Sequence, residues 1–250
     1  GTMKRSPLLV RTVSAGLIIS LAFLTGCPSP NGNDSGTDTS GADGGTSAPA
    51  EPSGRTSTAK AEEVEAAKTL LEGLAPGTKY TLVPDGVMTE VIIPDGSKLT
   101  PENIALFGRL SDLEKLQIMN YRDLDDDMVA KLVDLKNLKT LALTNSVIGD
   151  PAVEMIVKSF PNLTSLDLSS NTNMTNGVLK VISEMGQLEQ LTLVQNRFND
   201  LGTGRLAKLE KLRVLDLRGN MEAGDMTMEI IGALPALAAF KHRSTTVSDF

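Results

Sequence analysis

The chain has 250 residues, a net charge of -7 and a pI near 4.9. Its length allows one or two domains, and its acidic balance argues against a nucleic-acid surface, which would need clustered Lys and Arg. Trp is absent and aromatics make up only 3%, so the core must be aliphatic; one cysteine and one histidine rule out a disulfide framework and a Cys/His metal cluster.

Met3 reads as the natural start, with Gly1 and Thr2 ahead of it. Lys4, Arg5 and Arg11 form a positive flank to the apolar run Val13 to Leu24, which only Ser14, Gly16 and Ser20 interrupt. That run falls short of the ~20 residues that span a bilayer comfortably, and the pattern is that of an export signal. It ends in Leu24-Thr25-Gly26-Cys27, which resembles the lipobox of bacterial lipoproteins. The resemblance implies that the chain is cut after Gly26 and that Cys27 is lipidated, making residues 1–26 a signal peptide. The mature protein would then be anchored to the cell membrane or outer membrane, on its periplasmic or surface side. Acyl chains contribute about 0.8 kcal/mol per buried methylene, so more than one gives a stable anchor.

Residues 28–58 contain no Leu, Ile, Val or Phe and are dominated by Gly, Ser, Thr, Asp, Asn, Pro and Ala. Such a segment cannot bury enough apolar surface to offset its ordering entropy, so 27–58 reads as a disordered tether. A flexible chain of ~30 residues spans ~30 Å on average. From Ala59 to Leu74 the spacing predicts a helix, with Thr58 as its N-cap, Val64, Ala67, Leu70, Leu71 and Leu74 on one face, and Gly73 and Pro76-Gly77 ending it. Tyr80 to Val83, the turn Pro84-Asp85-Gly86 and Val91 to Ile93 predict a hairpin, so 59–87 forms an N-terminal cap.

A fixed period follows. Leu113-Glu-Lys-Leu116-Gln-Ile118 recurs as Leu138-Lys-Thr-Leu141-Ala-Leu143, Leu163-Thr-Ser-Leu166-Asp-Leu168, Leu188-Glu-Gln-Leu191-Thr-Leu193 and Leu212-Arg-Val-Leu215-Asp-Leu217. Weaker copies begin at Met88 (with Val91 and Ile93) and Leu237 (with Phe240 and His242), and successive starts lie 25 residues apart except for one step of 24. Period-two alternation turns the fourth and sixth residues of each copy inward from a short strand, and the third, fifth and seventh outward. The thirteenth position reads Thr100, Asp125, Asp150, Thr175, Asp200, Gly224 and Asp249, mostly preferred N-cap residues, with Pro101 and Pro151 following two of them. Apolar pairs then recur as Phe107 and Leu110, Leu132 and Leu135, Val157 and Phe160, Ile182 and Met185, and Ile231 and Leu234, as a packed helical half requires.

Residues 88–250 thus resemble the leucine-rich-repeat family, with its consensus L-x-x-L-x-L-x-x-N. The resemblance implies an α/β solenoid, a right-handed horseshoe with parallel strands on its concave face and helices on its convex face. It also implies that Asn171, Asn196 and Asn220, at the ninth position, form a structural ladder of hydrogen bonds to the turn backbone. Tyr121, Ser146 and Thr245 replace Asn in other copies. Phe250 is only the fourteenth residue of its copy, so the last repeat is incomplete and the chain reads as truncated.

Few residues suggest chemistry. Asp123, Asp125, Asp126 and Asp127 alternate like a calcium loop, but Met128 stands where the tight turn needs Gly and Asp134 where Glu is expected; a helix start with acids at its positive end fits better. His242, on an otherwise aliphatic inward column, has no evident nucleophile or orienting acid and fits a core position. No metal, cofactor or catalytic residue is expected. The outward strand positions are the binding candidates: Asp167, Thr192, Asp216, Arg218, Lys241 and Arg243, with charge gathering toward the C-terminal end and Asp216 placed to pair with Lys241 across strands. The family resemblance implies a binding module for a protein or peptide. A self-associating envelope protein, or the sensor part of a longer chain, remain the alternatives.

Overall fold

The structure is a computed structural model and describes residues 58–243. The export signal, Cys27, the tether up to residue 57, Thr245, Asp249 and Phe250 lie outside the described residues.

Helix α1 (Ala61–Glu72) buries Val64, Ala67 and Leu71, with Leu70 and Leu74 half-buried, and closes at Gly73. Its N-cap is Lys60 rather than Thr58, because Glu63 reaches back to the Lys60 backbone N–H (3.3 Å). Thr58 is held elsewhere: its N–H donates to Asp112 (3.2 Å) and its hydroxyl lies 2.7 Å from that of Ser111. Strands β1 (Lys79–Leu82) and β2 (Met88–Ile93) pair antiparallel across a turn where Gly86 takes φ +75°.

From β2 onward every neighbour is parallel: β3 (Lys115–Met119), β4 (Thr140–Thr144), β5 (Ser165–Asp167), β6 (Gln190–Thr192), β7 (Val214–Asp216) and β8 (Ala239–Lys241). They form one open sheet in chain order. The register joins equivalent repeat positions, so Val91, Leu116, Leu141, Leu166, Leu191, Leu215 and Phe240 make one row. All are buried except Phe240, which is half-buried. A second inward row runs from Ile93 through Ile118, Leu143, Leu168 and Leu193 to Leu217, all buried. The 25-residue period is thus the length of one strand–helix turn of a leucine-rich-repeat-type solenoid.

The return half of each repeat carries helices α2 (Pro101–Gly108), α3 (Asp126–Ala130), α4 (Asp150–Ser159), α5 (Gly177–Ile182), α6 (Asp200–Thr203) and α7 (Asp225–Gly232). Phe107, Leu110, Leu132, Leu135, Phe160, Ile182, Met185, Ile231 and Leu234 are buried against the strand layer. In α4 it is Ile156 that is buried, with Val157 half-buried, because a ten-residue helix keeps its 3.6-residue period up to Phe160. The 24-residue repeat shortens α6 to one turn and continues as a 3-10 helix (Gly204–Lys208), whose Leu206 and the following Leu209 fill the layer. Helix α2 packs so closely on the next repeat that a Cβ at Gly108 would lie 1.9 Å from the Lys131 carbonyl oxygen.

Two polar ladders join the repeats. In the first, Asn171 Nδ2 donates to the Leu143 and Leu168 carbonyls (2.8 and 3.0 Å), while its Oδ1 accepts from Ser146 N (3.0 Å). Asn196 donates to Leu168 O (3.1 Å) and accepts from Asn171 N (2.8 Å); Asn220 donates to Leu193 O (2.7 Å) and Leu217 O (2.9 Å). All three are buried. The second ladder replaces part of the expected capping. Thr100 and Asp125 cap their helices, but α4, α5 and α6 are capped at Gly149, Asn176 and Asn199. This leaves Asp150 and Asp200 as first helical residues and frees their carboxylates to reach the next repeat. Asp150 accepts from Thr175 N (2.7 Å) and its hydroxyl (2.5 Å), and Asp200 accepts from Gly224 N (2.7 Å), Thr227 N (3.1 Å) and the Thr227 hydroxyl. Asp126 likewise accepts from Gly149 N (2.7 Å) and Asn176 from Asn199 N (3.1 Å).

Candidate functional site

The strand register fixes the outward rows as firmly as the inward ones. The fifth-position row reads Ile92, Gln117, Ala142, Asp167, Thr192, Asp216 and Lys241 in successive hydrogen-bonded strands. Asp167 and Thr192 are half-buried, Lys241 is exposed and Asp216 is buried. Arg218 and Arg243, two residues further along their repeats, are exposed.

The two outward aspartates are held differently. Arg218 folds back on Asp216 as a fork, with Nε 2.9 and 3.1 Å from the two carboxylate oxygens and a terminal nitrogen 2.7 Å from Oδ2. Burial opposes ionisation of Asp216, but the Arg218 hydrogen bonds and charge outweigh it and hold the carboxyl below its usual range; Lys241 adds to this at longer range. The expected cross-strand pair of Asp216 with Lys241 is therefore replaced by a pair within one strand exit, because Arg218 offers two parallel N–H donors to a carboxylate only two residues away. The charges gathered toward the C-terminal end thus divide into this closed pair and two exposed cations, Lys241 and Arg243.

Asp167 has no such clamp. Ser169 stands where Arg218 stands two repeats on, and donates to Asp167 Oδ1 through its N–H (2.9 Å) and hydroxyl (2.6 Å); the Ser169 oxygen in turn accepts from Val194 N (3.1 Å). No ion pair reaches Asp167 among the described residues, and Oδ2 has no hydrogen-bond partner there. Burial pushes its carboxyl above the usual range; the Ser169 hydrogen bonds oppose that push and the negative charge of Asp216 adds to it. Thr192 lies between the two aspartates in the row.

A feature the repeat reading missed lies just past the strands. The eighth residues Asn120, Asn145, Ser170 and Gln195 take φ of 57°, 54°, 60° and 55°, and Gly219 takes 79°. Strands β3 to β7 thus each leave the sheet through one left-handed residue, a conformation that Gly and Asn tolerate and that is strained for Ser and Gln. The bias of this column toward amides and glycine was the available signal. Its side chains also interlock: Asn120 Nδ2 donates to Pro94 O (3.0 Å), Asn145 Nδ2 to Asn120 Oδ1 (2.9 Å) and the Ser170 hydroxyl to Gln195 Oε1 (3.3 Å). Beside them runs an open groove of about 770 Å³, lined among others by Arg122, Thr144, Asn145, Asp167, Ser169 and Gln195.

The remaining candidates are structural. Asp125 caps α3 by accepting from Met128 N (2.9 Å), Asp126 belongs to the second ladder, and among the described residues no group of three or more His, Cys, Asp or Glu is placed to hold a metal ion. The His242 ring stacks on Phe240 (centroids 5.7 Å apart), and its buried Nε2 has no hydrogen-bond partner among the described residues. No helix of the described residues is long and apolar enough to cross a membrane.

No family model matches the chain. Among solved structures it resembles an internalin of Listeria monocytogenes (21% identity, TM-score 0.47), over 58% of this chain and 39% of that one. It also resembles a second internalin of the same organism (20%, 0.45), over 56% of this chain and 55% of that one. A third is the tropomodulin C-terminal domain of Caenorhabditis elegans (17%, 0.44), over 59% and 92% respectively. The chain therefore spans well under two thirds of either internalin. The likeness is one of backbone architecture, and the fold assignment rests on the repeat spacing and strand register described above.

Proposed function

We propose that this chain is a non-enzymatic binding module, tethered to a bacterial membrane outside the cytoplasm, that recognises a protein or peptide with the outward face of its sheet. In this reading residues 1–26 direct export, Cys27 carries the lipid, residues 27–58 are the tether, 59–87 cap the solenoid and 88–250 form it. The apolar run ending in Leu24-Thr25-Gly26-Cys27 supports the anchor. The observation that carries the binding role is the outward face itself: in-register rows of half-buried and exposed polar side chains, Asp167 and Thr192 among them. Lys241 and Arg243 supply exposed charge at one end, which governs association rate and salt sensitivity more than affinity.

One experiment with two arms tests this. The full chain is expressed in a bacterium and its envelope fractionated, then used to capture partners from envelope extract at rising salt. Cys27→Ser should move the protein out of the membrane fraction or block its processing, and unchanged detergent partitioning would refute the anchor. Lys241→Glu with Arg243→Glu should alter the salt at which partners elute. Identical recovery and identical salt sensitivity would remove that end of the face from the site. Arg218 is left intact, because removing it would strand a buried carboxylate.

A further inference from the structure

We infer that the groove past strands β3 to β6 binds an extended peptide and that Asp167 is the seat for a Lys or Arg side chain of that peptide. This rests on the reading that the outward face binds a peptide, and assigns to it a place and a chemistry.

The argument starts from two aspartates in the same row. Asp216 carries its own counter-ion, the bidentate Arg218. Asp167 has Ser169 in the equivalent place, so one oxygen is capped by two donors, the other has no hydrogen-bond partner among the described residues, and the residue lines the groove. A half-buried carboxylate left uncompensated inside a concave site is a recognition element that the partner must complete, because a cation brought there gains a charge-assisted hydrogen bond in partly desolvated surroundings. The facing elements leave that role open. Ala142 and Thr144 of β4, Thr192 of β6 and Val194 beyond it are uncharged, the nearest acid in the row is Asp216, and Arg122 lines the groove without an ion pair to Asp167.

The walls suit a main chain. Asn145 Oδ1 and Gln195 Nε2 are, respectively, an acceptor and a donor with no partner among the described residues, and their opposite ends are fixed by Asn120 and Ser170. Thr144 and Thr172 line the same groove. An extended peptide running across the strand exits would meet the free acceptor of Asn145 and the free donor of Gln195 two strands apart, roughly 10 Å at a strand spacing of ~4.8 Å. No aromatic side chain lines this groove, so nothing offers a sugar ring a stacking face. Arg122, two repeats before Asp167, also lines the groove, where it suits an acidic group.

The test is selection of displayed random twelve-residue peptides on the immobilised full chain, followed by affinity measurements of the selected peptides on variants. Wild type should enrich sequences sharing a Lys or Arg. Asp167→Asn should weaken those peptides at least ten-fold. Ser169→Arg, which rebuilds the Asp216–Arg218 arrangement at Asp167, should do the same while the protein stays folded by circular dichroism, since the molecule already accommodates that pair. Lys241→Glu with Arg243→Glu should leave the preference for a basic residue intact. Peptides that bind wild type and Asp167→Asn equally, yet depend on Lys241 and Arg243, would overturn the Asp167 seat while leaving the binding face in place. If wild type enriches no peptide above a blank resin, both readings fall.

Discussion

Asp167 and Asp216 share a row of the sheet, yet one is followed two residues later by Ser and the other by Arg, and that difference sets their electrostatics. Both were legible as outward residues from the alternation alone. The back-folded Arg218 was not, because repeat spacing reports which way a side chain leaves the strand and not where a long side chain ends. Asp200 shows the same limit: its sequence position suits an N-cap, while its actual partners, Gly224 and Thr227, lie one repeat away. Burial works against ionisation of Asp200, but these hydrogen bonds outweigh it and hold the carboxyl below its usual range. The folded pKa thus lies below the unfolded value of about 3.9, so the stabilisation is complete above that value and is lost as pH falls through the folded pKa. Asp200→Ala should cost about 2 kcal/mol at pH 7, since its donors lose a charged acceptor. Asp167 has the opposite sign, with a folded pKa above the unfolded one, so its ionised form is a cost at neutral pH and Asp167→Asn should be at least as stable as wild type. Urea denaturation from pH 7 down to pH 2 checks both: the gap between wild type and Asp200→Ala should narrow on acidification, and a gap independent of pH would contradict the assignment.

At the scale of the element, the inward or outward facing of the repeat strands was readable, while the hairpin bounds, Lys79–Leu82 and Met88–Ile93 against the expected Tyr80 to Val83 and Val91 to Ile93, and the helices were less so. Leu-x-x-Leu-x-Leu fixes strand register because a slip of one residue would turn every inward leucine to solvent. The helical halves tolerate more variation. The return halves that carry five-residue α3, ten-residue α4 and four-residue α6 all bring two apolar residues to the same layer, Leu132 and Leu135, Ile156 and Phe160, and Leu206 and Leu209, although these fall inside or beyond the helix according to its length; spacing alone therefore left Val157 in place of Ile156 and the 24-residue repeat without a pair. Leu191 and Thr192 provide the sharpest test of strand register, being adjacent on β6 with opposite facing. Leu191→Ala should lose ~2–5 kcal/mol, as a fully buried leucine does, and Thr192→Ala no more than about 0.5 kcal/mol. Comparable losses in denaturant titrations would show that the facing is reversed.

The described repeats stack one on the next, each tied to its neighbours by strand pairing and, from Asp126 to Thr227, by bonds from the two ladders. The Asn171–Asn196–Asn220 ladder holds the strand exits, and the Asp126–Asp150–Asn176–Asp200 ladder holds the helix starts. The inward rows carry the aliphatic packing, while the outward row mixes buried Ala142 and Asp216 with half-buried Asp167 and Thr192 and exposed Lys241. The account turns on that face being the working surface and the helical face being scaffold. Photo-crosslinking of the full chain in the cells that produce it tests this most directly, with a benzoylphenylalanine placed either at Val147, exposed on the groove rim, or at Lys180, exposed on helix α5. The account predicts a discrete higher-mass adduct from position 147 that disappears with Asp167→Asn, and none from position 180; an adduct from position 180 with none from 147 would contradict it.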